Sequence, residues 1–372
     1  MRDLRAHERV LHHAATLLCA LPRSVQERLV GGPVVRDGQI LDPEVALLMR
    51  VNERMGRRLV PDTPPSVLRR TQNEGARIAG GLEQDGPSSD LSIDGAAGTL
   101  RARHYPAMDE AEGDAPAPLL LFMHGGGFVF GDLDTHDAPC RLLRRHAGVH
   151  VLAIDYRLAP EHPFPAALDD ALAALAWARA NAARLGCDAA RIGVAGDSAG
   201  ANLAAVVAQL SARAGEPPLA CQVLVYPAVD RRTPWRSLEA FGEGFFLTRD
   251  AIEWFHRQYA MSGGAADDLT ALAEGNPRIH PLAAEDLGGL APALVVTAGF
   301  DPLRDEGEAY ARALREAGNA VTVRRFGSLV HGFFNMVGVS RACRDAVVEI
   351  AGATRVLAFG TERRVGEWRR SA

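Results

Sequence analysis

The sequence predicts an α/β protein built on a mostly parallel sheet with helices on both faces. Three observations carry this. Short apolar runs alternate with longer helical ones from about residue 119 onward. The apolar runs show no polar alternation, which is how strands buried on both faces read. The chain has 372 residues, 47% of them hydrophobic and 23% charged, enough for one large domain or two ordinary ones with an ample core.

Residues 1–80 are helical in tone. Glu8 to Leu21 and Pro43 to Leu59 carry apolar residues at mixed three and four spacing, and Pro22, Pro33 and the prolines from 61 to 65 punctuate them. From about residue 90 the period changes. Leu91–Asp94 and Thr99–Tyr105 alternate like strands around Gly95–Gly98, a hairpin signal. Met108 to Pro118 is acidic and rich in Ala and Pro, and reads as an exposed loop.

The alternation then begins. Strands are expected at Leu119–Met123, Val149–Ile154, Ile192–Ala195, Cys221–Tyr226, Leu294–Thr297 and Ala320–Phe326. Helices are expected at Ala138–Ala147, Ala166–Leu185, Ala199 to about Ala214, Leu303–Ala317 and Ser340–Phe359. One insert, Val229 to Leu290, interrupts the pattern. It holds Trp235, Phe241, Phe245, Phe246, Trp254 and Phe255 in a chain that is 6% aromatic, and reads as a lid or acyl pocket. The tail from Gly360 is expected to fray.

Composition excludes several functions. The net charge of −5 provides no basic footprint for nucleic acid. All 41 cationic residues are Arg, so no lysine nucleophile or Schiff base is available. No run of 18 apolar residues offers a membrane span. Asp3 and Glu8 spoil the basic region that a signal peptide would place before the apolar patch Ala14 to Leu21. The five cysteines are scattered and none forms a CxxC, which suits reduced, buried thiols in a cytoplasmic protein.

The chemistry centres on Gly196-Asp197-Ser198-Ala199-Gly200. It lies between a predicted strand and a predicted helix, the setting in which Gly-x-Ser-x-Gly makes a nucleophile elbow. The turn is so tight that a Cβ at either glycine has no room. A second motif, His124-Gly125-Gly126-Gly127-Phe128, follows the strand Leu119–Met123 directly. Its backbone N–H groups, with that of Ala199, can hold the oxygen that turns negative when an ester carbonyl is attacked.

A serine nucleophile needs a base, and the base needs an orienter. Downstream of Ser198 stand only three histidines: His256, His280 and His331. His256 sits beside Trp254 and Phe255 and reads as packing; His280 precedes a strand and reads as structural. His331 follows the last strand by the short loop Gly327–Val330, at the sheet edge where catalytic residues gather. Asp301 follows the strand Leu294–Thr297, and Pro302 suits the first turn of the next helix. Asp305 and Glu306 are nearby rivals for the acid.

Taken together, the chain resembles the hormone-sensitive-lipase-like bacterial esterases of the α/β-hydrolase superfamily, in the subgroup with a Gly-Asp-Ser-Ala-Gly elbow. The matching residues are His124–Phe128, Gly131-Asp132, Asp155–Glu161 with Pro163–Ala166, Gly196–Gly200, Asp301–Gly307 and His331–Phe333. The resemblance implies an eight-stranded sheet with one antiparallel strand. It implies a helical cap made of residues 1–85 and an insertion at about 229–275, the catalytic domain being 86–372. It implies hydrolysis of short- to medium-chain acyl esters without cofactor or metal, through Ser198, Asp301 and His331. Gly125, Gly126, Gly127 and Ala199 are the oxyanion candidates, and Phe128, Asp197, Phe245, Phe246 and Trp254 the substrate-contact candidates. His124 is expected to brace the loop, and Arg157 and Glu161 to pair with each other or with nearby chain. A homodimer through an edge strand is a family-level expectation. An amidase or deformylase on the same triad, a true lipase, and an inactive hydrolase serving as a receptor are the alternatives.

Overall fold

The computed structural model describes residues 4–56, 63–81, 86–108, 116–260 and 275–360. Its centre is an eight-stranded sheet: β3 (Ser89–Gly95), β4 (Gly98–Tyr105), β5 (Ala117–Met123), β6 (His150–Ile154), β7 (Cys187–Asp197), β8 (Gln222–Val225), β9 (Ala293–Phe300) and β10 (Val321–Val330). The spatial order is β10-β9-β8-β7-β5-β6-β4-β3. Strands β5 to β10 run parallel, β4 runs against β6, and β3 runs against β4, so β4 alone is reversed.

Why these segments are strands is visible in their burial. Every residue of β5, β6, β8 and β9 is buried. Their branched and apolar side chains face helices on both sides, at about 2–3 kcal/mol for each large side chain removed from water. Helices α6 (Ala166–Asn181), α7 (Ala199–Arg213) and α10 (Arg304–Glu316) cover one face through residues such as Leu168, Val207 and Tyr310. Helices α5 (Asp137–Ala147) and α11 (Arg341–Phe359) cover the other through Leu142 and Val347.

The N-terminal part contains α1 (Ala6–Cys19), α2 (Arg23–Val30), α3 (Pro43–Arg54) and α4 (Pro65–Gly80). Asp42 starts α3 by accepting the Glu44 N–H at 2.9 Å, with Pro43 in the first turn. Between α2 and α3 lies a two-residue hairpin, β1 (Val35–Arg36) and β2 (Gln39–Ile40). Asp37 and Gly38 both have positive φ there, as the tight hairpin turn requires. Strands of two residues and a helix of eight are too short to show a hydrophobic period, so neither this hairpin nor α2 is evident in the sequence. The insert between β8 and β9 holds α8 (Arg236–Phe241) and α9 (Arg249–Ala260); the expected cap insertion extends past these into residues outside the described set. The expected frayed tail also lies outside it, apart from Gly360.

Two strands outrun their expected bounds by four or more residues at one end. β7 begins at Cys187, paired with Ala117 across a register shift; the charged Asp188 and Arg191 break its apolar run and hide that part of the strand. β10 continues to Val330 through an irregularity after Phe326, so the expected loop 327–330 is strand. No helix among the described residues is long and apolar enough to cross a membrane.

Candidate active site

Four parallel strands deliver the site. Met123 ends β5 before His124, Asp197 ends β7 before Ser198, Phe300 ends β9 before Asp301, and Val330 ends β10 before His331. All four therefore emerge at the carboxyl end of the sheet, where ligands of open α/β sheets bind.

Ser198 is held at φ 55°, ψ −118°, a backbone conformation that costs a non-glycine residue on the order of 1–3 kcal/mol. Its neighbours show why the turn is over-determined. A Cβ on Gly200 would run into the carbonyls of Met123 and His124, and one on Gly196 into the Gly200 backbone. The strand, the elbow and β5 thus touch backbone to backbone. Ser198 N–H donates to Val225 O at 2.9 Å, which ties the turn to β8 as well.

Ser198 Oγ lies 2.9 Å from His331 Nε2, and His331 Nδ1 lies 2.8 Å from Asp301 Oδ2. An ionised carboxylate can only accept, so Nδ1 carries the proton and Nε2 presents a lone pair to the serine hydroxyl. Asp301 is completely buried, and its Oδ1 accepts the Leu303 N–H at 2.8 Å. The rival acids are engaged elsewhere. Asp305 accepts the Ser237 N–H and Arg304 Nε, both at 2.8 Å. Glu306 accepts the Val229 N–H at 2.7 Å, and burial pushes its carboxyl well up, ahead of the lowering by those N–H bonds.

The glycine loop is aimed by buried partners. Gly125 donates its N–H to Asp197 Oδ1 at 2.8 Å. That N–H is therefore not available to an oxyanion, a correction to the expectation of three glycine donors. No acceptor among the described residues takes the N–H of Gly126, Gly127 or Ala199. Ala199 is also the first residue of α7, whose N-terminal dipole favours negative charge.

Asp197 forms part of the cavity wall, and its carboxylate is engaged by the protein. Beside Gly125 it meets His136 Nε2 at 3.1 Å and accepts the Tyr226 hydroxyl at 3.3 Å. Burial raises its pKa, but His136, the Gly125 N–H and His124 outweigh burial and hold the carboxyl below its ordinary value. His124 donates from Nδ1 to Gly125 O at 2.8 Å and stacks on Tyr156 with ring centroids 4.3 Å apart.

Burial, reinforced by His136, pulls His124 down to about 4. This has a consequence for stability. An unfolded histidine titrates near about 6.5. Between those two values the unfolded chain binds a proton that the folded one refuses, so stability rises with pH by up to about 1.4 kcal/mol per unit from this group. Thermal melting temperatures should climb from pH 4.5 to 6.5, beyond what carboxylates contribute near pH 4, and then level off. A profile flat across that window would contradict the neutral, buried His124.

Several positioning residues carried no signal in the sequence. Asn73 on α4 accepts the Gly131 N–H and donates to Asp132, both at 3.0 Å. Arg69, also on α4, donates to Val129 O and Ala159 O at 2.6 Å and pairs with Glu161. Arg157 pairs instead with Asp170 at 2.8 Å, so Arg157 and Glu161 brace the fold through separate partners. Tyr226, at φ 37°, sets its ring 4.5 Å from that of His331.

A cavity of about 1130 Å³ opens over Ser198 and reaches α1, α3 and α4, with Leu11, Leu18, Met49, Ile78, Phe255 and Met336 in its walls. Phe128, Phe245 and Phe246 line it as expected. Trp254 does not; it is buried against Phe255, and Phe255 turns to the cavity and covers Gly127. His256 and His280 stand in the wall with rings 6.2 Å apart.

A strand-elbow-helix serine, bonded through histidine to a buried aspartate on a doubly covered parallel sheet, defines the serine hydrolases of the α/β-hydrolase fold. Comparison with known proteins agrees. A family profile described as alpha/beta hydrolase fold matches residues 120–335. The chain is 45% identical over 331 residues to the carboxylic ester hydrolase LipN of Mycobacterium tuberculosis, covering 87% of this chain and 85% of that one. It is 38% identical over 323 residues to the ethyl acetate hydrolase of Pseudomonas putida, covering 84% and 98%. The solved hyperthermophilic esterase from Pyrobaculum calidifontis superposes with a TM-score of 0.76 at 38% identity, covering 84% and 98%. The chain belongs to the α/β-hydrolase family, as a hormone-sensitive-lipase-like ester hydrolase.

Proposed function

We propose that Ser198, His331 and Asp301 are the nucleophile, base and orienter of a carboxylesterase acting on short- to medium-chain acyl esters. The unbroken Ser198–His331–Asp301 chain of hydrogen bonds, at 2.9 and 2.8 Å, carries the reading. His331 Nε2 takes the hydroxyl proton as Ser198 Oγ attacks the acyl carbonyl. Asp301 keeps the imidazole in the right tautomer and stabilises the imidazolium. The N–H groups of Gly126, Gly127 and Ala199 receive the oxyanion, each at about 3 kcal/mol. The alcohol leaves with the proton from His331, and water repeats the cycle on the acyl-enzyme.

Residues 1–85 and the insertion at about 229–275 serve as the cap, and contacts of α1, α3, α4 and α9 with the cavity support this. The cavity lies just above the range for small-molecule sites, about 300–1,000 Å³, so acyl chain and alcohol fit together. The name of the ethyl acetate hydrolase supports the short end of the acyl range. The five buried free cysteines suit a reducing compartment, and we place the protein in the cytoplasm, as cell fractionation would test.

The test is kcat/KM on p-nitrophenyl esters from acetate to palmitate. The maximum is expected between acetate and octanoate, with palmitate the poorest. A maximum at palmitate would replace this reading with a lipase, and inertness on the whole series would direct attention to amides.

A further inference from the structure

At the opposite end of the sheet from Ser198, three metal-ligating side chains converge. His104 is the penultimate residue of β4, His150 the first of β6 and Cys187 the first of β7. One ligand atom from each lies within 4.8 Å of the others, and all three residues are buried. His104 Nε2 and His150 Nδ1 are 3.0 Å apart, with the two ring planes parallel to within 3°. Cys187 Sγ has a long contact to Leu185 O at 3.7 Å.

We propose that His104 Nε2, His150 Nδ1 and Cys187 Sγ bind a divalent d-block cation of the Zn²⁺ type, in a stabilising site separate from the esterase centre. Two imidazoles and a thiolate are the donor set that selects Zn²⁺ over Mg²⁺ or Ca²⁺. Tetrahedral bonds of about 2.0–2.1 Å to nitrogen and 2.3 Å to sulfur imply nitrogens about 3.3 Å apart and nitrogen–sulfur separations of about 3.6 Å. The observed trio needs the imidazoles to part by a few tenths of an ångström and the sulfur, now within 4.8 Å of both, to settle at about 3.6 Å from each nitrogen. The fourth position is left to water or a backbone carbonyl.

The proton balance is simple. The thiol of Cys187 loses its proton to solvent and becomes the thiolate ligand. The ring that carries the shared N–H shifts that proton to its other nitrogen, so both imidazoles stay neutral. One proton leaves per ion.

The site joins β4, the reversed strand, to β6 and β7 across β5, and so pins the β3–β4 hairpin to the parallel sheet. His150 pairs with Leu119, which lies opposite Ile192, so about six residues of strand set the metal about 20 Å from Ser198. The ion therefore stabilises the fold and leaves ester turnover alone.

The experiment uses the reduced, chelator-stripped full chain with Co²⁺ as spectroscopic probe and Zn²⁺ for stability. The expected result is one Co²⁺ per chain with a thiolate-to-cobalt charge-transfer band in the near ultraviolet. Calorimetry in buffers of different ionisation enthalpy should show one proton released per ion. Zn²⁺ should raise the melting temperature, with p-nitrophenyl acetate turnover unchanged. Cys187→Ser should abolish the band and the proton release, and His104→Gln should weaken binding by more than about a hundredfold. The wild-type band and proton count stand even where a variant folds poorly. No Co²⁺ uptake, a band that survives Cys187→Ser, or uptake without a band, as exposed histidines such as His7 and His13 would give, overturns the proposal.

Discussion

Ser198→Ala is expected to lower kcat on p-nitrophenyl esters by about 10⁶-fold while leaving the fold intact. The magnitude follows from the role. Without Oγ there is no acyl-enzyme, and only the oxyanion donors and substrate binding remain, which leave about 10³–10⁴ over the uncatalysed reaction. The stability forecast follows from the backbone. Alanine meets the same penalty as serine at φ 55°, and the lost hydroxyl has His331 as its partner. The melting temperature should therefore stay near the wild-type value. Steady-state kinetics with a burst assay, beside a thermal melt, checks both halves. A variant that keeps more than about a hundredth of the activity has another nucleophile. A variant that loses its fold would mean that Ser198 Oγ is structural, which contradicts the packing described for the elbow. That packing is assigned to the glycines: it is Gly196 and Gly200 that allow three backbones to meet.

The contrast between the serine and its surroundings also explains what could be read from the sequence. Ser198, Asp301 and His331 each follow a strand of the parallel sheet, and serine chemistry requires a base and an acid downstream, so position and chemistry agree on the same residues. The centre of the sheet was legible for a similar reason: β5, β6, β8 and β9 are buried along their whole length and read as nearly continuous apolar runs. The glycine run was only partly legible. His124 to Phe128 shows where flexible N–H groups lie, but not which of them the protein takes for itself. That depends on Asp197, 72 residues from Gly125 in the chain. Asn73 and Arg69 were invisible for the same cause, since an exposed-looking polar residue in an amphipathic helix announces no partner. The cavity side of α9 turned on one residue. Trp254 and Phe255 are adjacent and aromatic, and a helical turn of about 100° per residue puts only one of them over Gly127. The Asp37-Gly38 turn, by contrast, was written in the sequence, but its two strands have only two residues each and show no alternation.

Asp301→Asn should lower kcat by about 10⁴-fold, close to 5 kcal/mol of transition-state stabilisation, with little change in KM. The reason lies in the two partners of this carboxylate. Oδ1 accepts the Leu303 N–H, and that N–H will hold the amide carbonyl of the asparagine in the same place. The NH₂ group then occupies the Oδ2 position and points at His331 Nδ1. Two donors cannot face each other, so the imidazole shifts its proton to Nε2 and presents a lone pair to the amide instead. Ser198 Oγ then meets an N–H where it needs an acceptor, and proton abstraction stops, although every heavy atom is in place. Asp305→Asn provides the comparison. Asp305 serves Ser237 and Arg304, so its amide should cost some stability and leave kcat within about tenfold of wild type. Kinetics on both variants, with a melt to confirm folding, separates the candidates. If Asp305→Asn falls as far as Asp301→Asn, the orienting carboxylate is not held by Asp301 alone. If Asp301→Asn keeps most of its rate, the tautomer argument fails, and the 2.8 Å contact to His331 contributes to structure and not to catalysis.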